Sequence, residues 1–123
     1  MAFKIKRVYA PPSGADGRRV LVDRLWPRGL TKSAAALDDW MKELAPTTQL
    51  RTWFAHDGAK FGEFARRYRR ELKGNPALDE LRAFGRRKRV TLLYAARDSK
   101  VNHARVLMAA LTAPSSTRPR SSR

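Results

Sequence analysis

Seven consecutive residues, Val90-Thr91-Leu92-Leu93-Tyr94-Ala95-Ala96, carry no charge and no turn residue, and they constrain the fold more than any other part of the chain. A strand with one face in water alternates polar and apolar residues. This run does not alternate, so both of its faces need cover, as in a central strand of a parallel sheet packed under helices. Basic residues at Arg86-Arg87-Lys88-Arg89 and a polar loop at Arg97-Asp98-Ser99-Lys100 bound it. It is the clearest strand of the chain.

Two further segments read as strands. Phe3-Lys4-Ile5-Lys6-Arg7-Val8-Tyr9 alternates apolar and basic residues, the period-two pattern of a half-buried strand. Val20-Leu21-Val22 is a short apolar run continued by Asp23-Arg24-Leu25-Trp26, ending in a loop at Pro27-Arg28-Gly29. Between the first two strands, Pro11-Pro12-Ser13-Gly14-Ala15-Asp16-Gly17 has the chemistry of a loop.

The rest reads as helices. Leu37, Trp40, Met41 and Leu44 recur at helical spacing, with Thr31 or Ser33 as cap and Pro46 as terminator. Thr47 or Thr48 caps a shorter helix carrying Leu50, Trp53 and Phe54, broken at His56-Asp57-Gly58. Phe61, Phe64, Tyr68 and Leu72 form the next stripe, ended by Gly74. Asn75 and Pro76 then suit the cap and first position of a helix containing Leu78, Leu81 and Phe84, which Gly85 is expected to close. A last helix spans Asn102 to Leu111. The predicted fold is therefore a small single α/β domain over 1–112: an open, mainly parallel sheet with helices packed around it. Residues 113–123, rich in Pro, Ser and Arg without apolar periodicity, read as a disordered basic tail.

With 27 Lys and Arg against 11 acids, the formal charge is +16, and +13 of it lies within residues 1–112. Such a field attracts nucleic acid or small polyanions. The absence of cysteine removes disulfides, thiolate metal sites and a cysteine nucleophile; with two histidines, no metal or cofactor site is expected. No membrane span or secretory leader is legible, and a cytoplasmic location is expected. Oligomeric state is not legible.

In an open parallel sheet, ligands bind beyond the carboxyl ends of the strands. Two apolar strands end here in polar clusters. One holds Asp23, Arg24 and Arg28, with Lys32 beyond; the other holds Arg97, Asp98, Asn102 and His103. In the pocket reading, Arg24, Arg28, Lys32 and Asn102 bind a small anion, phosphorylated or nucleotide-like. Asp23 or Asp98 then orients it or acts as base, and His103 carries the proton. Whether any reaction follows is left open. The alternative is a non-catalytic nucleic-acid-binding module. Between Arg66 and Arg89 stand ten Lys or Arg against three acids, and Arg66, Arg67, Arg69, Arg70, Arg86, Arg87 and Lys88 are its candidate contacts. An accessory interaction protein is a third possibility.

One resemblance runs through these residues. Val20-Leu21-Val22-Asp23-Arg24-Leu25-Trp26-Pro27-Arg28-Gly29 with Lys32 is its most specific part. Trp40, Leu44-Ala45-Pro46, Leu50-Arg51, Trp53-Phe54, Thr91 to Ala96, Asp98 and Asn102-His103-Ala104 complete it. Together they resemble the YeaO-like branch of DUF488, a family of uncharacterised bacterial proteins, from about Ile5 to Leu111. Thr47 stands where that branch usually has Ser. The resemblance implies an α/β domain and assigns no activity. Wider relatives carry an Asp-Val-Arg-like motif at Asp23-Arg24, and cysteine-containing motifs near Tyr94–Asp98 and Asn102-His103. This chain lacks both cysteines, so thiol chemistry does not carry over.

Overall fold

The computed structural model describes residues 3–113. Four strands form one sheet: β1 (Phe3–Arg7), β2 (Arg18–Leu21), β3 (Asp39–Trp40) and β4 (Val90–Tyr94). Their order is β1-β4-β2-β3, and every neighbouring pair is parallel. β2 and β4 are therefore adjacent parallel strands. All five residues of β4 are buried. Burying aliphatic and aromatic side chains of this size stabilises a fold by about 1.5–3 kcal/mol each.

The two faces of the sheet are covered differently. The register aligns Phe3, Val90 and Arg18, then Ile5, Leu92 and Val20, on one face. That face packs under α2 (Thr48–Phe54), α3 (Phe61–Leu72), α4 (Pro76–Arg87) and α5 (His103–Thr112), and holds the main core with Phe54, Phe64, Tyr68, Leu81 and Leu107. The other face, with Leu21 and Leu93, carries a smaller core closed by Val8, Ala35, Trp26, Leu30, Leu37 and Trp40. A single-turn helix, α1 (Lys32–Ala35), and connecting loops cover it.

Local chemistry explains most helix boundaries. Thr47 caps α2, its hydroxyl accepting from Leu50 N at 3.2 Å. Asn75 caps α4 with Pro76 at the first position, and Asn102 caps α5. Phe64, Tyr68 and Leu72 are buried along α3. Among the described residues, no helix is long and apolar enough to cross a membrane.

Two expectations are corrected. The stripe Leu37, Trp40, Met41 and Leu44 does not form one helix. α1 ends at Ala35, Asp39–Trp40 is the edge strand β3, and Lys42–Leu44 is a 3-10 turn. Leu37 and Trp40 pack into the small core, whereas Met41 and Leu44 belong to the main one, so the segment serves both faces of the sheet. Trp40 is held there by a T-shaped contact with Trp26, centroids 5.3 Å apart, and by its indole N–H donating to Asp23 O at 2.7 Å. Gly85 does not close α4, which continues to Arg87. Glycine is needed for close packing instead, because a Cβ there would overlap the Phe3 ring. Boundaries are also tighter: β1 stops at Arg7 and β4 at Tyr94, though Val8 N still donates to Tyr94 O and Val22 N to Leu93 O. The expected tail, beyond Ala113, lies outside the described residues.

A buried carboxylate joins the amino ends of the strands. Asp16, in a 3-10 turn before β2, has no exposed side-chain surface. It accepts from Arg19 Nη1 at 2.5 Å, Lys6 Nζ at 3.0 Å and Ser13 N at 3.0 Å, with Lys4 Nζ at 3.3 Å. Its own carbonyl accepts from Thr91 Oγ1 at 2.7 Å. Burial alone would raise the carboxyl's pKa; the donors Lys6, Ser13 N–H, Arg19 and Lys4 together outweigh it and hold it well below the usual carboxylate range. A depressed native pKa means stability that is present above the unfolded-state value near 3.8 and lost as pH falls through the native one.

Two outcomes are expected. Asp16→Asn should lower unfolding free energy by about 3–5 kcal/mol, because Arg19 is left buried without a counter-charge. In wild type, denaturant midpoints should fall with acidification below pH 4, and that fall should shrink in the variant; an unchanged acid limb refutes the assignment. Gly85→Ala should cost about 1–3 kcal/mol through overpacking, with part regained when Phe3 is also shortened to Leu, as urea melts of the single and double variants would show.

Candidate functional site

Because all four strands are parallel, the segments leaving β2 and β4 emerge at one end of the sheet. There they bound a cleft of about 560 Å³ lined by Asp23, Arg24, Leu25, Pro46, Arg51, His56, Ala95, Ala96, Arg97, Asp98 and His103. Four of the expected site residues, Asp23, Arg24, Asp98 and His103, thus share one cavity. The other three expected there do not line it. Arg28 is exposed in the turn after Trp26, where its carbonyl accepts from the Tyr9 hydroxyl at 2.8 Å. Lys32 is exposed on α1. Asn102 is buried behind the wall: its Oδ1 accepts from Arg105 N at 3.0 Å and its Nδ2 donates to Asp98 O at 2.8 Å.

Asp23 links the three elements that meet at the cleft. Past the end of β2, its Oδ2 accepts from Ala95 N, just past β4, at 3.1 Å. Its Oδ1 is 3.0 Å from Nε2 of His103, the first residue of α5. The same Nε2 is 3.0 Å from Val22 O. Asp23 Oδ1 is left buried with no aligned donor. Both neighbours of Nε2 are acceptors, so this nitrogen holds a proton in the neutral ring as well as in the cation.

Arg24 is partly engaged in structure. Its Nε donates to Pro46 O at 3.0 Å and its Nη2 to Ala45 O at 3.2 Å, which fixes Pro46 in the wall. Behind it, the buried Tyr68 hydroxyl donates to Leu44 O at 2.5 Å. Burial, aided by the charges of Glu71 and Asp23 and opposed by Arg24, pushes the Tyr68 phenol well above its ordinary value. Asp98 turns its carboxylate on its own loop, accepting from Lys100 N at 2.8 Å and Val101 N at 2.9 Å. Those bonds, Val101 first, lower its pKa, so it is ionised at neutral pH.

Arg51 and His56 line the cleft but carry no signal in the apolar pattern. Arg51 is an exposed helical arginine like many others here. His56 reaches the cleft because α2 ends in two successive left-handed residues, Ala55 at φ 48° and His56 at φ 57°. The His-Asp-Gly break marked that turn without revealing its direction. Arg97 stands in the strand-end cluster, as its position predicts. Three arginines and two histidines thus face two carboxylates around a wall of Leu25, Pro46, Ala95 and Ala96. Among the described residues, no group of His, Asp and Glu is arranged to hold a metal ion.

The candidate polynucleotide contacts lie elsewhere. Arg66 and Arg67 both pair with Glu63 on α3, and the Arg67 guanidinium also stacks on Trp53 at 4.3 Å. Arg69 and Arg70 are exposed on the same helix, and Arg86, Arg87 and Lys88 are exposed at the end of α4.

A family model described as "Inactive DUF488-N3 subclade" matches residues 2–122. The chain belongs to this DUF488 subclade. It is 42% identical over 108 residues to "Uncharacterized protein YeaO" of Escherichia coli (strain K12), covering 87% of this chain and 94% of that one. It is 43% identical over 104 residues to "Uncharacterized protein Rv3073c" of Mycobacterium tuberculosis (strain ATCC 25618 / H37Rv), covering 85% and 88%. No solved structure matches it. For this DUF488 domain, the Asp23–His103 geometry predicts that neutral His103 is the Nε2–H tautomer. Long-range 15N–1H correlation should show a protonated Nε2 and a bare Nδ1; the reverse pattern would contradict the arrangement.

Proposed function

We propose that this protein binds a small anionic ligand, phosphorylated or nucleotide-like, in the cleft at the carboxyl end of its sheet, and holds it without turning it over. The convergence of Arg24, Arg51 and Arg97 with two imidazoles on one cavity carries the reading. Guanidinium groups donate in forks that match phosphate or carboxylate oxygens. The apolar wall gives the non-ionic part of such a ligand a surface to cover, and Leu25, 60% exposed, is an apolar side chain available to it. The cavity volume lies within the usual range for small-molecule sites.

Binding without turnover is favoured by the state of the acid and base candidates. Asp98 is ionised and bonded to its own loop, and Asp23 and His103 face each other and Val22 O. The word "Inactive" in the subclade's description points the same way. The same reading places the protein in the cytoplasm, where phosphorylated metabolites are met, in keeping with its lack of cysteine.

The test is a thermal-shift screen of the full chain with inorganic phosphate, pyrophosphate and nucleoside monophosphates. A ligand at one hundred times its Kd should stabilise by about 2.7 kcal/mol, a rise of roughly 10 °C in Tm for a domain of this size. Arg51→Gln with Arg97→Gln should remove the shift while leaving the ligand-free Tm nearly unchanged, since both side chains are exposed. NMR of the incubated ligand should show no product. The proposal fails if no compound raises Tm, or if the double variant responds like wild type.

A further inference from the structure

The end of the sheet opposite the cleft has a chemistry of its own. Every strand begins there, because the sheet is wholly parallel. Arg86, Arg87, Lys88 and Arg89 lead into β4 at that end, and all four are exposed. Among the described residues, the ion pairs of α3 and α4 are Arg66 and Arg67 with Glu63 and Arg82 with Asp79; none involves these four cations. Arg86 and Arg87 suit the negative end of a helix dipole. Lys88 caps the same helix end, and Arg89 beyond it donates from Nη1 to Ala15 O at 3.2 Å, which leaves the positive charge of all four without a carboxylate partner among the described residues.

The end of α5 and a shallow groove border the patch. Arg82 donates from Nη2 to Ala110 O at 2.9 Å and from Nε to Leu111 O at 3.3 Å, which sets the end of α5 beside the last turns of α4. Next to the patch lies a shallow groove lined by Gly17, Arg18, Asp38, Phe84, Lys88 and Arg89. Its one acid, Asp38, accepts from Arg19 N at 2.8 Å, and Arg18 is paired with Asp39 at 2.6 Å. Among the described residues, the large exposed apolar side chains, Tyr9 and Leu25, follow β1 and β2 at the other end of the sheet.

We propose that this amino-end surface, centred on Arg86-Arg87-Lys88-Arg89, contacts the phosphate backbone of a nucleic acid, independently of the cleft. Several exposed cations in sequence, none in an ion pair among the described residues, match closely spaced phosphates, whose neutralisation releases counterions. A membrane surface would also draw the charge, but stable attachment to lipid adds buried apolar area, and among the described residues the large exposed apolar side chains lie at the other end. Backbone contact alone implies little preference for base sequence.

The experiment measures binding of labelled duplex and single-stranded oligonucleotides to the full chain by fluorescence anisotropy, over a range of salt. Two triple variants remove equal charge: Arg86→Gln, Arg87→Gln and Lys88→Gln at this end, and Arg66→Gln, Arg67→Gln and Arg69→Gln on α3. Circular dichroism melts confirm that both fold. The first triple should weaken binding at least tenfold near physiological salt and reduce the slope of log affinity against log salt by about two to three. The second should change affinity less than twofold. Equal losses in both would mean attraction to net charge alone and would overturn the proposal. It would also be overturned if phosphatidylserine vesicles, and not oligonucleotides, lost binding in the first triple.

Discussion

The carboxylate of Asp16 is the charge around which the amino end of this domain is arranged. It takes donors from β1 through Lys4 and Lys6, from β2 through Arg19, and its own carbonyl takes the Thr91 hydroxyl of β4. Arg19 extends the link by donating to Ala35 O and Ala36 O at the end of α1. A parallel sheet has no hairpins to hold its strands in register. Here one buried ionic cluster touches the three strands that form the body of the sheet. Its position also explains the asymmetry of the two faces. The main core is apolar throughout its helical side, whereas the second face is part apolar and part ionic, and needs no helical layer of its own.

With the strands fixed at one end, the other is free to carry side chains on loops. Asp23 does for that end a smaller version of what Asp16 does below, bonding Ala95 N and facing His103. The difference is solvation. Asp16 is surrounded by donors, while one oxygen of Asp23 has no aligned donor and sits at the edge of a cavity. A polar atom in that condition is a common mark of a site shaped for something besides stability.

The parts of the fold legible in sequence were those where one periodicity served one environment. Val90 to Tyr94 faces cover on both sides and reads as unbroken apolar residues; Phe64, Tyr68 and Leu72 face one core and keep helical spacing. The segment from Leu37 to Leu44 failed because its apolar residues divide between two cores, and their spacing matched a helix by coincidence. The site was half legible for a similar reason. Strand ends are marked by where apolar runs stop, which located Asp23, Arg24, Arg97, Asp98 and His103. Arg51 and His56 come from a helix and its terminating turn, and only the left-handed path through Ala55 and His56 brings that turn to the cleft. Asp16 and Arg19 left no trace either, because a loop acid and a strand arginine look the same whether solvated or buried.

The order β1-β4-β2-β3 has a consequence for how the chain acquires its structure. β1 is an edge strand whose one neighbour is β4, and Phe3 pairs in register with Val90. No local partner exists for the first strand to be made. At about 5–20 residues per second, synthesis takes roughly 4 to 17 seconds to travel from one to the other. Throughout that interval Phe3 and Ile5 have no sheet to join, and the helices α2, α3 and α4 are made before the central strand they cover. β2 and β3 can pair earlier, but β1 joins the sheet only when β4 arrives as the last piece between two waiting neighbours. Topologies dominated by such distant pairings fold slowly for their size.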